Sequence, residues 1–443
     1  MSLRTRRILF YSLVLLFLIV GTALVFYSRG WRFDFKDREL VQTGGIYLRS
    51  RPENAEILLD GQPVKNKAGL LQSGTLIDNL FPGEYEVRLS KEGYTDWQKH
   101  VLVLPENVSV FDGIIMVPKK EAEIVNLVSA AFYLEEGDSG TMIIKNQGRL
   151  RFGEEILPGD EVAAFPDNWV VTYNSRLENY YLLDLNNLEA EPLNLNKLFT
   201  ELKAKQLDLA GEVPIRKIYP YPYSSRRFIL LTERALYTLD TERLAVDQIS
   251  LEASDFVVAG NDVVWFGPEG VSRYNLVFRS KSMISDLTEV GLKEGEEITG
   301  IGVSNSGEAI SLLRENGELW FWENNTITRL GQSVIQAAFS PDSRKLLFIE
   351  GTGVMKFYDR DEKMLFALDF HPENEIEKLI WYRNNAYVIF SDTVGKLIFL
   401  EIDDSTPLNQ TVIASGVSDF DYSEGEDAIY FTASDGIWRF NLK

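Results

Sequence analysis

Residues 337–348 read AAFSPDSRKLLF, and residues 354–359, just beyond Gly353, read VMKFYD. Apolar runs flank Pro341 and Asp342, a residue pair that favours a turn between two strands. Residues 354–359 are again rich in apolar and aromatic side chains, which indicates one more strand. The stretch therefore predicts short strands joined by tight turns.

Strands like residues 354–359 recur along residues 119–443. Six copies follow a glycine and two follow another residue: Gly148, Gly270, Gly317, Gly353, Gly395 and Gly436, with Asn179 and Arg234. The seven intervals from residue 148 to residue 436 average about 41 residues, and an apolar strand precedes each copy. Four short strands in about 40 residues are typical of a β-propeller blade. Residues 119–443 therefore predict a β-propeller, for which the repeats favour eight blades, with seven as the alternative.

The last repeat is incomplete. It has three predicted strands, at residues 418–422, 428–432 and 437–441. A blade that lacks its outer strand leaves an open sheet edge. Residues 122–128, which precede the first repeat, are predicted to supply that strand and so to close the ring.

Residues 337–359 resemble the F-S-P-D-G repeat of TolB-type and WD-like propellers, in which the Pro-Asp turn joins the innermost strand of a blade to the second. Other copies keep the apolar pattern but not the residues of this motif, as in residues 303–307, VSNSG. The resemblance implies the fold and no particular subfamily.

An earlier segment alternates with the period of a strand. In residues 84–90 Tyr85, Val87 and Leu89 share one face, which is the pattern of a half-buried antiparallel strand. Residues 46–50, 55–60 and 96–104 read similarly, with turn sequences at 60–61, 81–83 and 91–93. These strands predict a small β-sandwich over residues 45–118.

Three blocks within that segment resemble the PEGA domain family. They are residues 50–61 (SRPENAEILLDG), 80–87 (LFPGEYEV) and 91–94 (KEGY), in the order found in that family. The resemblance implies an extracytoplasmic β module without assigned catalytic residues.

Residues 8–27 form an uncharged, apolar stretch of 20 residues. A helix of that length crosses about 30 Å of hydrocarbon. Arg4, Arg6 and Arg7 favour a cytoplasmic N-terminus, residues 1–7, by the positive-inside bias. A cleaved signal peptide is the alternative, although the stretch is long and ends in the bulky Phe26 and Tyr27. The sequence thus predicts a single-pass anchor in the cell membrane, a juxtamembrane linker at 28–44 and an all-β extracytoplasmic part.

Composition excludes several kinds of site. The 443-residue chain has no cysteine and two histidines, so it has no disulfides, thiol nucleophiles or cysteine-based zinc or iron–sulfur sites. Its formal net charge is −21, whereas residues 1–32 carry five arginines and no acid. So acidic a chain is a poor candidate for nucleic-acid binding. No cofactor is expected.

The stretch 219–223, YPYPY, is the most unusual local sequence. Tyr219, Tyr221 and Tyr223 could stack on sugar rings or anchor a peptide. The alternative is that this stretch is the innermost strand of a blade, with prolines at an edge.

The other candidates favour structural or solvated roles. His100 lies on the polar face of a predicted strand, and His371 precedes a proline in a loop. Acidic clusters at 135–138, 359–362 and 403–404 lack the spacing of a calcium loop. Recurrent tryptophans in strands favour packing between blades: Trp265, Trp320, Trp322, Trp381 and Trp438. No catalytic or metal-binding residue is predicted.

These observations favour a membrane-anchored binding or scaffolding protein of the cell envelope, whose propeller loops bind a protein or glycan partner. The alternative is a propeller-type lyase or hydrolase that acts on envelope polysaccharide. Carboxylates with Arg or Tyr at the mouth of the channel would favour the enzyme. A mouth lined by Gly, Ser and Asn would count against it.

Overall fold

The computed structural model describes residues 3–35, 38–68, 73–127, 130–134, 141–207, 209, 211, 213–222, 224–286, 298–324, 326–351 and 353–443. The chain divides into two compact units. The N-terminal unit comprises residues 1–120 and 405–411, and the propeller unit comprises residues 121–404 and 412–443.

The N-terminal unit begins with a helix, continues with a hairpin and ends with two small sheets. Its elements are α1 (Leu3–Ser28), β1 (Trp31–Asp34), β2 (Glu39–Gln42), β3 (Gly44–Arg51), β4 (Glu56–Leu59), β5 (Gln62–Val64), β6 (Thr75–Leu80), β7 (Gly83–Ser90), β8 (Trp97–Val103) and β9 (Val108–Ile115). β1 pairs with β2, the order β6-β3-β9 forms one sheet, and the order β5-β4-β7-β8 forms the other.

The two sheets share one core, to which alternate residues of their strands contribute. Ile46 from β3, Val87 from β7 and Trp97 from β8 are almost completely buried in it. The predicted β-sandwich is confirmed. β3 pairs with β9 in parallel, whereas alternation had suggested antiparallel strands throughout. The hairpin β1–β2 lies in the segment expected to be a linker.

α1 has the length and composition of a membrane span. Residues 6–28 have a mean hydropathy of 2.7, and the apolar surface of α1 is not covered by the rest of the protein. A helix that fits a membrane anchor is therefore present at the N-terminus, where a signal sequence would have the same properties.

The N-terminal unit also includes a distant stretch of the chain, residues 405–411. The backbone N–H of His100 in β8 donates to the carbonyl oxygen of Thr406 at 2.8 Å. The side chain of Asn409 accepts from the N–H of Gln98 at 3.0 Å and donates to its carbonyl oxygen at 3.1 Å. These bonds satisfy backbone groups of β8, which is an edge strand of its sheet.

The propeller unit consists of eight four-stranded sheets in its described residues. Blade 1 contains β11 (Ala131–Leu134), β12 (Met142–Asn146), β13 (Arg149–Phe152) and β14 (Glu155–Ile156); blade 2 contains β15 (Glu161–Ala164), β16 (Trp169–Asn174), β17 (Asn179–Asp184) and β18 (Leu193–Asn194). Blade 3 contains β19 (Lys217–Pro220), β20 (Arg227–Leu231), β21 (Leu236–Asp240) and β22 (Ala245–Ser250); blade 4 contains β23 (Asp255–Ala259), β24 (Asp262–Gly267), β25 (Gly270–Asn275) and β26 (Ser280–Asp286).

The remaining blades follow the same order. Blade 5 contains β27 (Ile298–Val303), β28 (Ala309–Arg314), β29 (Leu319–Glu323) and β30 (Thr326–Gly331); blade 6 contains β31 (Val334–Phe339), β32 (Lys345–Glu350), β33 (Met355–Asp359) and β34 (Met364–Ala367). Blade 7 contains β35 (Ile376–Trp381), β36 (Tyr387–Asp392), β37 (Leu397–Glu401) and β38 (Gln410–Ala414). Blade 8 contains β39 (Asp419–Ser423), β40 (Ala428–Ala433) and β41 (Gly436–Asn441), together with β10 (Glu123–Asn126).

The ring closes between its first and last strands. β10 pairs antiparallel with β41, with Ile124 opposite Trp438 and Asn126 opposite Ile437. Arg439 of β41 forms an ion pair with Glu123 of β10 at 3.1 Å. Inner strand β11 of blade 1 also contacts inner strand β39 of blade 8. The predicted closure and the eight-blade count are both confirmed.

Apolar side chains of the strands pack between neighbouring blades. Trp265 in a second strand and Trp381 in a first strand are buried there, and Trp381 Nε1 donates to the carbonyl oxygen of Ala338 in the preceding blade at 3.2 Å. The packing expected of the tryptophans is confirmed at these two positions. The tight interleaving of blades fixes the positions of the inner strands.

Among the described residues of the propeller unit, α2 (Leu195–Gln206) is a helix that the pattern of repeated strands did not predict. Asn194 caps it by accepting from the backbone N–H of Lys197 at 2.9 Å. Leu195, Phe199 and Leu202 bury one face against blades 2 and 3. Their spacing is that of an amphipathic helix, so the signal is present in the sequence.

Glu318, in the turn before β29, makes a pH-dependent contribution to stability. Its carboxylate accepts from Trp320 Nε1, Arg329 and Arg314, and these bonds lower its pKa, the Trp320 bond most of all. A depressed folded-state pKa stabilises the fold above the unfolded pKa of about 4.3, and this stabilisation is lost as the pH falls through the folded value. We expect Glu318→Gln to be less stable than the wild type at neutral pH, with a difference that shrinks in acid.

Urea unfolding at a series of pH values tests this expectation. Glu315→Gln is the matched control, because Glu315 is exposed in the same turn. A difference between Glu318→Gln and the wild type that is independent of pH would contradict the assignment.

Candidate functional site

The first strands of the blades line a central channel, and one end of that channel opens into a cavity of about 620 Å³. The cavity opens where turns lead from the first to the second strand, at residues 165–167, 221, 222, 224 and 260. Its polar and aromatic lining comes from blades 1, 2, 3, 7 and 8: Phe132, Tyr133, Phe165, Asp167, Tyr219, Tyr221, Ser224, Lys378, Asp419 and Asp421.

Two tyrosines singled out in the sequence line this cavity. Tyr219 lies in inner strand β19 and is 41% exposed. Tyr221 follows that strand, and its hydroxyl donates to the carbonyl oxygen of Leu276 at 3.2 Å while Arg227 stacks on its ring. Tyr221 is therefore held rigidly by blade 4. Tyr223 lies outside the described residues, and a binding role for the three tyrosines stays a prediction.

Two lysine–carboxylate pairs have the same construction at opposite sides of the ring. Lys378 Nζ in β35 binds Asp419 at 2.9 Å and also contacts the carbonyl oxygen of Phe420. Lys217 Nζ in β19 binds Asp255 at 2.7 Å and the carbonyl oxygen of Phe256 at 2.9 Å. Blades 3 and 4 thus repeat the arrangement of blades 7 and 8. The shared letters Ser-Asp-Phe at 254–256 and 418–420 could have revealed both pairs from the sequence.

The cavity is acidic. The charged residues that line it are three with negative charge, Asp167, Asp419 and Asp421, and one with positive charge, Lys378. Asp421 accepts from the backbone N–H of Tyr422 at 2.8 Å, which fixes its carboxylate. Carboxylates held in a concave surface create a negative potential that attracts cations.

Tyr133 adds a neutral hydroxyl to the lining. Burial raises its pKa, and the negative charges of Glu161 and Asp419 raise it further. A raised pKa keeps the phenol protonated over the physiological range, so that it can both donate and accept.

Hydrogen bonds between blades hold the turns at this end of blades 5–8. The backbone N–H of Asn305 donates to Ser343 Oγ at 2.8 Å, and that of Asp342 donates to Asn385 Oδ1 at 2.8 Å. Arg383 then donates to Asp427 of blade 8 at 2.9 Å. Pro341 and Asp342 form the turn between β31 and β32, as the resemblance to propeller repeats implied. The rim is therefore preorganised rather than loose.

Asp427 is the most buried carboxylate of this rim, with no exposed surface. It accepts from the hydroxyls of Tyr382 at 2.8 Å and Tyr422 at 3.1 Å, and it forms an ion pair with Arg383. Burial is the main cause that raises the pKa of Tyr422, with the neighbouring Tyr382 and Asp427 adding to it. The cluster joins blades 7 and 8 inside the protein and is structural.

The remaining sequence candidates that the structure describes are not among the residues that line the cavity. His100 is exposed on β8, and His371 is exposed between β34 and β35. Asp359 accepts from the backbone N–H groups of Asp361 and Glu362, which is the geometry of a turn. Burial, and then Asp403, raise the pKa of Asp404. The cluster at 135–138 falls outside the described residues, and the described ones contain no group of three His or acidic side chains placed to hold a metal ion.

The lining combines features expected of an enzyme with features expected of a binding protein. Carboxylates and tyrosines are present together, which is the combination expected of an enzyme. Gly260 and Ser224 also contribute, and they are of the residue types that count against an enzyme.

Comparison with known families identifies the first folded module. Residues 43–113 match the family model of the PEGA domain. No curated protein matches the chain.

Similar solved structures include several propellers. The computationally designed Ika8 protein is 14% identical, with 72% of this chain and 99% of that chain covered and a TM-score of 0.48. The C-terminal WD40 domain of Sif2 is 14% identical, with 72% and 97% covered and a TM-score of 0.48. Hsv2p of Kluyveromyces lactis is 8% identical, with 66% and 99% covered and a TM-score of 0.43. The fold assignment rests on the eight closed sheets of this chain.

Proposed function

We propose that the protein is a membrane-anchored binding scaffold of the cell envelope. In this proposal α1 is retained as the anchor, residues 1–7 are cytoplasmic, and the PEGA domain and the propeller are extracytoplasmic. The channel-mouth cavity binds a protein partner. The observation that carries the proposal is a preorganised concave site, in which Tyr219 and Tyr133 present aromatic surface beside fixed carboxylates.

The charge of the cavity favours a partner segment that carries Lys or Arg. Three carboxylates and one ammonium line the site, and the residues beyond 32 carry a large excess of acidic groups. A cationic side chain would gain from this potential and from the face of Tyr219. Anionic envelope polymers would be repelled by the same potential.

Selection from a display library of random peptides on the full chain in lipid nanodiscs tests this partner chemistry. We expect the bound pool to be enriched in Lys and Arg. Tyr219→Ala and Asp421→Asn should each weaken a selected peptide about tenfold, which is about 1.4 kcal/mol. Phe278→Ala is the control, because Phe278 is an 80% exposed aromatic residue outside the cavity.

Two results would contradict the proposed partner. One is a bound pool with no excess of basic residues. The other is a Phe278→Ala variant that weakens binding as much as Tyr219→Ala, because the loss would then not be specific to the cavity.

The lack of native cysteine makes the membrane topology directly testable. A membrane-impermeant maleimide should label Phe278→Cys in intact cells, and should label Thr5→Cys only after the membrane is permeabilised. The opposite pattern would overturn the orientation. The mass of the mature protein separates an anchor from a cleaved signal peptide, since cleavage would remove residues 8–27.

A lyase or hydrolase that acts on envelope polysaccharide is the second candidate, which the combination of Asp and Tyr in the cavity favours. Incubation with purified envelope polysaccharide would release new chain ends if this candidate is right. Asp421→Asn should then abolish the release. A wild-type protein that releases none while it binds peptides would exclude the enzyme.

A further inference from the structure

The hairpin β1–β2 carries an exposed aromatic face immediately after the membrane helix. Phe33 of β1 lies directly across from Leu40 of β2, and they are 45% and 60% exposed. Phe35, two residues beyond Phe33 and in edge-to-face contact with its ring at 5.1 Å, is 85% exposed. Such a concentration of large apolar side chains in water is unfavourable.

The other face of the hairpin is mainly charged. Asp34 lies opposite Glu39, and Arg32 lies opposite Val41, the one apolar side chain among the paired residues of this face. The hairpin is therefore amphipathic, with one side suited to water and one side suited to an apolar environment.

The hairpin is fastened to the end of α1. Arg29 and Gly30 alone separate Ser28, the last helical residue, from Trp31. The ring of Trp31 meets that of Phe26 in an edge-to-face contact at 5.9 Å. Arg32 donates to the carbonyl oxygen of Tyr27 at 2.8 Å and stacks on its ring. The aromatic face thus continues from the apolar surface of the helix.

Distance restricts where this face can lie. Three peptide steps join Ser28 to Trp31, and they span at most about 10 Å. The headgroup layer adds roughly 5–7 Å to each side of the hydrocarbon core. A helix that crosses the membrane therefore delivers the start of the hairpin to the layer where aromatic side chains and arginines are enriched.

We infer that the hairpin β1–β2 lies in the interface of the membrane that α1 crosses, with Phe33, Phe35 and Leu40 inserted among the lipid headgroups and upper acyl chains. The occupant of this face is lipid rather than a second protein, because the face adjoins the membrane-spanning surface of the same chain. The inference rests on the anchoring role of α1 in the proposed function, and it does not depend on the channel cavity.

Spin labels at single cysteines test the inference in the full chain, which has no native cysteine. The chain is placed in nanodiscs of phosphatidylcholine and phosphatidylglycerol, and labels are attached at Phe35→Cys, Leu40→Cys and Glu39→Cys. We expect the first two labels to be several-fold less accessible to a water-soluble nickel chelate than the third, and more accessible to oxygen, which concentrates in lipid. Glu39→Cys is the matched control, since Glu39 is exposed on the opposite face and adjacent to Leu40.

The outcomes are distinct. High nickel accessibility at Phe35→Cys and Leu40→Cys would place the face in water and overturn the inference. Low accessibility to both nickel and oxygen would mean that protein covers it, which would also overturn the inference. Equal values at Leu40→Cys and Glu39→Cys would show that the amphipathic hairpin is absent. None of these results bears on peptide binding in the cavity, so the two proposals fail separately.

Discussion

Replacing Asp427 with alanine is expected to lower the free energy of unfolding of the propeller unit by about 3–5 kcal/mol. The substitution would remove the acceptor of the Tyr382 and Tyr422 hydroxyls, both of which are at least half buried in the joint between blades 7 and 8. It would also leave the charge of Arg383 without its buried partner. Removing one member of a buried ion pair costs more than the pair contributes, because the remaining charge stays desolvated.

Urea unfolding followed by tryptophan fluorescence measures this loss. Glu424→Ala is the control, since Glu424 is exposed in the same turn and only its backbone carbonyl contacts Arg383. We expect Asp427→Asn to fall between the wild type and Asp427→Ala, because the amide keeps an acceptor oxygen and loses the charge. An Asp427→Ala variant as stable as Glu424→Ala would show that the cluster is not a structural joint.

Replacing Gly436 with alanine is expected to destabilise the closure of the ring by about 3 kcal/mol. Gly436 has a φ of 155° at the start of β41, a conformation that side chains rarely adopt. A Cβ there would lie 2.2 Å from the carbonyl oxygen of Asn126 in β10. The substitution therefore forces the closing strand away from its partner.

Gly416→Ala separates the clash from backbone strain alone. Gly416 also has a positive φ, of 71°, and a Cβ there would meet no atom within 4 Å. It should cost only about 1 kcal/mol. Hydrogen exchange should show faster exchange in β10 and β41 of Gly436→Ala and not of Gly416→Ala. Equal exchange in the two variants would contradict the role of Gly436 at the seam.

The repeat made the propeller predictable. In each blade the third strand follows a turn and the second strand is apolar, so eight copies could be aligned from the sequence alone. The last copy had only three predicted strands, which pointed to residues 122–128 as the fourth. α2 was not predicted, because its apolar residues at 195, 199 and 202 follow the period of a helix and not that of a strand. The hairpin β1–β2 was not predicted, because each of its strands has only four residues, which are too few to show a clear alternation of apolar and polar side chains.

The candidate site was only partly predictable, for a different reason. Tyr219 and Tyr221 were found because their local sequence is unusual. Tyr133 and Asp421 are ordinary residues of inner strands, and Asp167 is an ordinary residue of a turn. They meet only because the inner strands of separate blades converge on one channel. The register that brings them together is set by packing between blades, which one sequence does not encode in any local pattern.

The seam between β10 and β41 also has a kinetic consequence. Glu123 and Arg439, which pair across it, are 316 residues apart in the chain. Closing so long a loop is slow, and it must wait until β41 has been synthesised. Until then, β10 has no partner strand and β40 has an unpaired outer edge, and other chains could pair with either. The period between synthesis of blade 1 and arrival of β41 is therefore when the protein is most exposed to aggregation and proteolysis, and truncation before β41 would make that exposure permanent.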